Sequence, residues 1–540
     1  MAVTDHGPVL LSGPATFATP RVVAVRVPRQ RPPDPRERGP APRPPTTTPS
    51  APEAAAVQDG LGRSASRSAT VSAAGQLSRF VIQTASIVLL ARLLTPSDYG
   101  VLAIAVAVSG LGDLLRDFGL ANASVQARIL TVDQRSNLFW INTAVGAVMA
   151  VALALLAPVI TPVLRDPRLA AVLPVLALGF LVNGIATQPR AWLVREMRFV
   201  ALNVIDTLAL LIGTATGVVL AIAGAGYWSL IFMLLAQGLA AMIASILFAR
   251  WLPGLPNRRG SVKDLLSFGV GLFGSQLLNY ATRNANTFAI GITLGAVPLG
   301  LYNRAYQLLN LPLAQLQAPA TQVALPTLSR LQDQPERYDR FLIKGQSALL
   351  HITTAILALS GAQAVAIFGL FLGRQWIPAA PTFQILALAG FTMVANYATY
   401  WVFLSLGLTR TYFRLSLITQ TATIGAVLFG TTLGLQGIVV SFAVVNAVIW
   451  PFTLWWLSRV SRAPVTAMFL NASRVLLAYG VAGMLSLLAT QPLGLDLPVR
   501  LGAGVAVFVA TVAVWFAVWR PFRHDLMQLG QLLARVVRRA

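Results

Sequence analysis

The stretch from Gly75 to Gln126, GQLSRFVIQTASIVLLARLLTPSDYGVLAIAVAVSGLGDLLRDFGLANASVQ, constrains the fold more than any other part of the chain. It holds two apolar runs, each of the roughly 20 residues that cross a bilayer at about 1.5 Å per residue. The short segment Leu94–Gly100, LTPSDYG, separates them with residues that interrupt helices. Arg79, Asp113, Arg116 and Asp117 fall inside the runs. A charged side chain at the bilayer centre costs about 2.5–3.5 kcal/mol on insertion scales, so these four are expected to face protein or water. Apolar spans with a polar interior point to transport.

Composition agrees. The 540 residues are 56% hydrophobic and 11% charged, with a mean hydropathy of +0.69. Soluble domains carry about 25% charged residues, which sets the membrane class. The net charge of +23 comes mostly from single arginines between apolar runs, without a basic face or an aromatic stacking module. That pattern argues against nucleic acid as a partner. Cysteine is absent, and His6, His351 and His524 lie far apart, so no metal or cofactor is expected. The connections are short and carry no acid/base cluster or P-loop, which argues against an enzyme.

Residues 1–67 are rich in Pro, Arg, Ala, Ser and Thr and read as a disordered extension. From residue 70 onward fourteen helices are expected, near 70–93, 97–122, 135–163, 168–189, 199–223, 227–251 and 262–294. The rest lie near 298–330, 338–371, 377–406, 411–433, 437–459, 464–489 and 497–520. Assigned alternately, the connections place 18 Lys/Arg on one side and 5 on the other. The positive-inside rule then puts both termini in the cytoplasm.

A faint internal repeat accompanies this. A shift of 200 residues lays LTPSDYGVL (94–102) on LGAVPLGLY (294–302), and helices 1–6 fall on helices 7–12. Six is even, so the halves would be parallel repeats about an axis along the membrane normal. The expected fold is all-α and polytopic, with two six-helix bundles around a central cavity and two extra C-terminal helices. Its divisions are an N-lobe at 68–251, a C-lobe at 252–460, helices 13–14 at 461–522 and a basic cytoplasmic tail at 523–540.

The segments ARLLTPSDYGVLA, DFGLANASVQ, DPRLAAVLPVLALGF, LLSFGVGLFGSQLLNYATRNANTFAIG, LGAVPLGLYNRAYQL and LPTLSRLQD carry a family resemblance. They resemble the polysaccharide transporter branch of the multidrug/oligosaccharidyl-lipid/polysaccharide exporter superfamily, the Wzx-type flippases. The resemblance covers about residues 70–460. It implies alternating-access transport of polyprenyl-pyrophosphate-linked oligosaccharide across the bacterial inner membrane, among membrane lipids and beside a polysaccharide polymerase and export machinery. It also implies that helices 1, 2, 7 and 8 line the cavity, where this chain carries Arg79, Arg116, Arg283 and Arg304.

A guanidinium offers forked donors that match phosphate oxygens. Arg283 is the leading candidate, because it sits in a long apolar helix with Gln276, Asn279, Asn284 and Asn286. Arg116 stands beside Asp113 and Asp117, so a local ion pair competes with a ligand role. The same two acids are the candidates for ion coupling. Trp401 with Tyr397 and Tyr400 reads as belt or packing, with sugar stacking as the sharper alternative. An ion-coupled multidrug or metabolite exporter of the same superfamily is the alternative function, and a membrane polymerase or ligase stands behind it.

Overall fold

The computed structural model describes residues 78, 79, 81–117, 124, 131–257, 280, 283–492 and 494–539, all within the unit Arg67–Ala540. The extension 1–67 and most of 262–282 lie outside the described residues. Among the described residues there is no strand. The first six helices are α1 (Val81–Leu93), α2 (Pro96–Asp117), α3 (Val132–Leu164), α4 (Leu169–Arg195), α5 (Phe199–Ile222) and α6 (Tyr227–Ala249). Then follow α7 (283–294), α8 (Ala296–Arg330), α9 (Pro335–Ala362), α10 (Ala380–Ser405), α11 (Thr409–Thr431) and α12 (Gly434–Val460). The chain ends in α13 (Val465–Thr490), α14 (Leu497–Val518) and α15 (Arg520–Arg539).

Eleven of the described helices are long and apolar enough to cross a membrane. The 35-residue α8 is long enough but polar, and Pro312, Pro319 and Pro326 interrupt its hydrogen-bond ladder. Large apolar side chains point outward along the spans, among them Leu155 on α3, Phe429 on α11 and Val518 on α14. In an all-α membrane protein such faces meet lipid, because each helix satisfies its own backbone.

Local chemistry sets the helix starts. Thr95 and Asp98 bond reciprocally at the head of α2: Asp98 Oδ2 accepts from the Thr95 amide at 2.8 Å, and the Asp98 amide donates to Thr95 Oγ1 at 3.4 Å. With Pro96 at the first helical position, LTPSD becomes a sharp stop and restart between spans. Thr131 and Gln134 form a capping box at the start of α3.

The expected single helix 338–371 divides. After α9 the chain passes through a short helical turn at Ala364–Ile367, a wider π-turn at Phe368–Leu372 and a tight turn at Arg374–Ala379. Gly373, with φ of 110°, sits where an L side chain would be strained. The segment 523–540, expected as a basic tail, is helical through Arg539. In the same helix α15, Phe522 is fully buried against His351 and Tyr479, and Asp525 pairs with Arg474.

The packing repeats six helices apart. In the first half α3 packs on α4, α4 on α6, α5 on α6, and α2 on both α3 and α4. The second half repeats each pairing, as α9 on α10, α10 on α12, α11 on α12, and α8 on α9 and α10. The halves meet where α2 crosses α8. A Cβ on Gly100 would overlap the carbonyl of Ala296, and one on Gly300 would overlap the carbonyl of Pro96. Each glycine therefore admits the other helix's first turn, and the two contacts are related by the same 200-residue shift seen in the sequence. Small residues at a crossing let helix backbones approach closely in a membrane, where lipid supplies no hydrophobic drive.

Candidate functional site

Two cavities flank α7. The first, of about 510 Å³, is lined by α1, α2, α5, α6, α7 and α8, and includes Gln83, Tyr99, Gln237 and Arg304. The second, of about 770 Å³, lies among α7, α8, α10, α11 and α12. α7 is the wall between them: Asn284 and Thr287 line the first, while Arg283 and Asn286 line the second. Each pair is three residues apart, so the helical repeat divides them between two faces. Tyr306 lines both cavities.

No described contact gathers the four expected cations into one cluster. Arg79, just before α1, donates to Asn203 Oδ1 and pairs with Asp206 Oδ2 at 3.5 Å. Asp206 Oδ1 also takes Arg190 at 2.7 Å. One carboxylate on α5 thus serves two guanidiniums, and the cluster carries an excess positive charge. The side chains of Arg79, Arg190 and Asp206 are 23%, 35% and 34% exposed, which leaves them within reach of a ligand.

Arg116 pairs with Asp113 at 3.3 Å and donates to Thr187 Oγ1 at 3.1 Å, while Asn183 donates to the same Asp113 oxygen at 3.4 Å. The local ion pair is what this structure holds. Asp117 closes α2, and its side chain lies outside the described residues, as do Asn279 and Gln276.

Arg304 is buried. Its guanidinium lies 3.6 Å from the Tyr99 ring centroid and 5.6 Å from that of Trp376, and Nη1 donates to Gln307 Oε1 at 2.6 Å. This is a stacked, packed cation at the α2–α8 crossing. Trp376 Nε1 and Gln375 Nε2 donate to the Ala91 carbonyl at 2.7 and 2.6 Å, which ties the end of α1 to the segment after α9. Asn284 donates to the Tyr280 carbonyl at 3.0 Å and Asn286 to the Tyr302 hydroxyl at 2.5 Å.

Sequence reasoning missed Arg190 and Asp206 as partners of Arg79. Arg190 counts as a connection cation in the charge tally, yet it stands on α4 one turn and more before the helix ends. The signal available was its spacing of 16 residues from Asp206, on the facing end of the next helix. Trp401 is buried, with Nε1 donating to Thr321 Oγ1 at 2.9 Å, so it packs. Its neighbours Tyr397 and Tyr400 line the larger cavity instead.

Residues 89–381, just over half of the chain, match the family described as polysaccharide biosynthesis protein. Over 309 residues the chain is 30% identical to the lipopolysaccharide biosynthesis protein WzxC of Escherichia coli (strain K12), spanning 56% of this chain and 62% of that protein. It is 30% identical to an uncharacterized membrane protein in the cps region of Klebsiella pneumoniae, over 60% of this chain and 68% of that one. It is 26% identical to the succinoglycan biosynthesis transport protein ExoT of Rhizobium meliloti (strain 1021), over 79% of this chain and 87% of ExoT. Among solved structures, the lipid II flippase MurJ in its inward closed conformation superposes with a TM-score of 0.61 at 12% identity, covering 83% of this chain and 99% of MurJ. That likeness concerns the fold alone. The chain is a member of the polysaccharide biosynthesis protein family.

Proposed function

We propose that this protein is a flippase. It carries polyprenyl-pyrophosphate-linked oligosaccharide repeat units from the cytoplasmic to the outer leaflet of the bacterial cytoplasmic membrane, for surface-polysaccharide assembly. The observation that carries this reading is Asp206 shared between Arg79 and Arg190. A neutral cargo would need no excess cation in an apolar chain, whereas a pyrophosphate needs forked donors that can be released from an internal counter-ion. The relative ExoT, a succinoglycan biosynthesis transport protein, supports it, and the chain shares its fold with the lipid II flippase MurJ.

Arg79 and Arg190 take the pyrophosphate as it displaces Asp206, while Arg283 waits at the wall of the larger cavity. Arg116 and Asp113 stay paired in the resting state, and Asp113 and Asp117 remain the candidates for ion coupling. The two halves, 68–251 and 252–460, rock about the α2–α8 crossing, with 461–522 as two added spans. Fourteen spans follow if α1, α7 and α8 join the eleven apolar helices. An even number puts both termini on one side, and the Lys/Arg asymmetry of the connections makes that side the cytoplasm. A polysaccharide polymerase and export machinery are the partners that take up the product.

Lipid-linked glycan in each leaflet, at matched protein level, tests the reading. Arg79→Gln leaves Asp206 neutralised by Arg190 alone and should cut export at least tenfold, with glycan held in the inner leaflet. Arg79→Lys should keep part of the activity, because charge survives and the fork does not. Arg283→Ala should also block export. Wild-type export from both Arg79→Gln and Arg283→Ala would overturn the cation mechanism. Altered toxin resistance with normal polysaccharide would point to a drug exporter instead. Orientation is checked by cysteine labelling of this cysteine-free chain. Ala223→Cys should react from outside the cytoplasmic membrane, and Leu255→Cys, at a site 85% exposed, only after permeabilisation.

A further inference from the structure

The cavity of about 770 Å³ in the second half differs chemically from everything around it. Four amides reach its wall: Asn286, Asn396, Gln420 and Asn446. Four tyrosines join them: Tyr306, Tyr397, Tyr400 and Tyr412. Hydroxyls of Ser and Thr fill the gaps, Arg283 is the one charged residue, and no carboxylate lines it among the described residues.

Each simple occupant predicts a different wall. A lipid chain predicts an apolar one, such as the small groove between α9, α10 and α13 formed by Leu357, Phe391 and Leu487 beside glycines. A cationic drug calls for a carboxylate. A diphosphate calls for more than one cation. What remains is a neutral polyol, whose hydroxyls pair with amides and whose C–H faces rest on aromatic rings.

Two observations support that choice. Gln420 Oε1 and Thr453 Oγ1 are buried atoms without a hydrogen-bond partner, and both residues line this cavity. A buried polar atom left unsatisfied costs about 1–3 kcal/mol, which sugar hydroxyls would offset. The rings are also spread. Tyr397 and Tyr400 lie 5.8 Å apart at 41°, and Tyr400 and Tyr412 lie 5.5 Å apart at 56°. Tilted rather than stacked, they leave ring faces for a third group, and a π-face carries the negative potential that attracts C–H edges. The volume falls within the roughly 300–1,000 Å³ that encloses a medium-sized ligand.

Resting on the flippase reading, we infer that this second-half chamber is the glycan subsite. It holds neutral pyranose rings on Tyr400 and Tyr412 and against Gln420, while the pyrophosphate stays with the first-half arginines. The chamber is therefore where the transported sugar is selected. A site built to hydrogen-bond hydroxyls strongly rejects ligands that lack them, because its own polar groups are then left unpaired.

The test uses the full chain in nanodiscs and two probes. One is undecaprenyl pyrophosphate bearing the repeat unit, extracted from a polymerase-deficient strain of the source organism, and the other is undecaprenyl pyrophosphate without sugar. Wild-type protein should bind the glycosylated lipid at least about tenfold more tightly, a difference of about 1.4 kcal/mol. Tyr400→Leu and Gln420→Leu should each erase most of that preference while leaving the Kd for the bare lipid unchanged, which also reports intact folding. Tyr400→Phe should keep it. A preference that survives both leucine variants, or affinity for both lipids falling in parallel, overturns the chamber. Equal wild-type binding of the two lipids overturns it as well and leaves the flippase reading standing. Binding of neither lipid overturns both.

Discussion

The two halves of the molecule repeat one scheme of helix pairing and distribute their carboxylates differently. In the first half most paired arginines meet carboxylates: Arg79 and Arg190 on Asp206, Arg116 on Asp113, and Arg168 on Asp166 at 2.7 Å, while Arg135 rests on the rings of Trp192 and Trp251. From residue 283 to 460 the acids are confined to Asp333, Glu336 and Asp339, around the α8–α9 connection. Arg340 pairs with Glu336 at 3.9 Å in that connection, while Arg304 rests on Tyr99 and Arg459 on Trp455 at 5.6 Å. The comparison teaches that a repeated scaffold need not repeat its chemistry. One half pairs cations with carboxylates inside its helices, and the other lines its cavity with amides and aromatic rings.

The strongest way to break this comparison is at the joint the halves share. Gly100→Leu and Gly300→Leu each drive a side chain into a backbone carbonyl of the other half. Overpacking costs about 1–3 kcal/mol even where neighbours can shift, and a backbone shifts least. Both variants should lose nearly all polysaccharide export and reduce the folded protein recovered from membranes. Clearly unequal losses would show that the joint is not reciprocal.

Asp206→Asn comes next and sharpens the charge contrast. It frees Arg79 and Arg190 together, so Kd for undecaprenyl pyrophosphate should fall about tenfold while export slows through delayed release. Unchanged affinity would mean that Asp206 never competes with the ligand.

Arg304→Gln should have a smaller effect. It removes a cation–π stack worth about 0.5–2 kcal/mol and should lower Tm by a few degrees and export a few-fold, with Arg304→Lys between it and wild type. Smallest for transport is Asp525→Asn. It loosens α15 from Arg474 and His351, costing about 1–3 kcal/mol in Tm measurements with export near normal. A large transport defect there would move the comparison away from the two halves and toward the C-terminal helices.

Much of the helical plan was legible because lipid imposes it: apolar runs of fixed length, proline and glycine between them, and arginines sorted by side. Helix ends from α2 onward fall within a few residues of expectation for most spans, as at 199–223 against Phe199–Ile222. The division after Ala362 was hidden, because glycine and alanine there leave the apolar signal unbroken. α15 was read as a tail because its arginines mask the three-to-four-residue spacing of Phe522, Leu526 and Leu529, two of which pack inward.

For the site, the sequence names cations but not their pairings. Arg79 and Asp206 are separated by more than a hundred residues, and nothing local distinguishes Arg190 from a connection arginine. The larger cavity was hidden for a related reason. Its amides and tyrosines come from five helices, and each alone looks like an ordinary packing or belt residue.

The crossing of α2 and α8 has a further consequence. Gly100 receives the first turn of α8 and Gly300 receives the first turn of α2, so one patch is complementary to its own copy. This is the geometry of an isologous dimer interface. A six-helix chain carrying such a patch would meet a second identical chain across a two-fold axis with no new contact to invent. The present molecule holds both sides of that patch in one chain. Each side is then free to differ, whereas a change in one subunit of an identical pair is always imposed on the other.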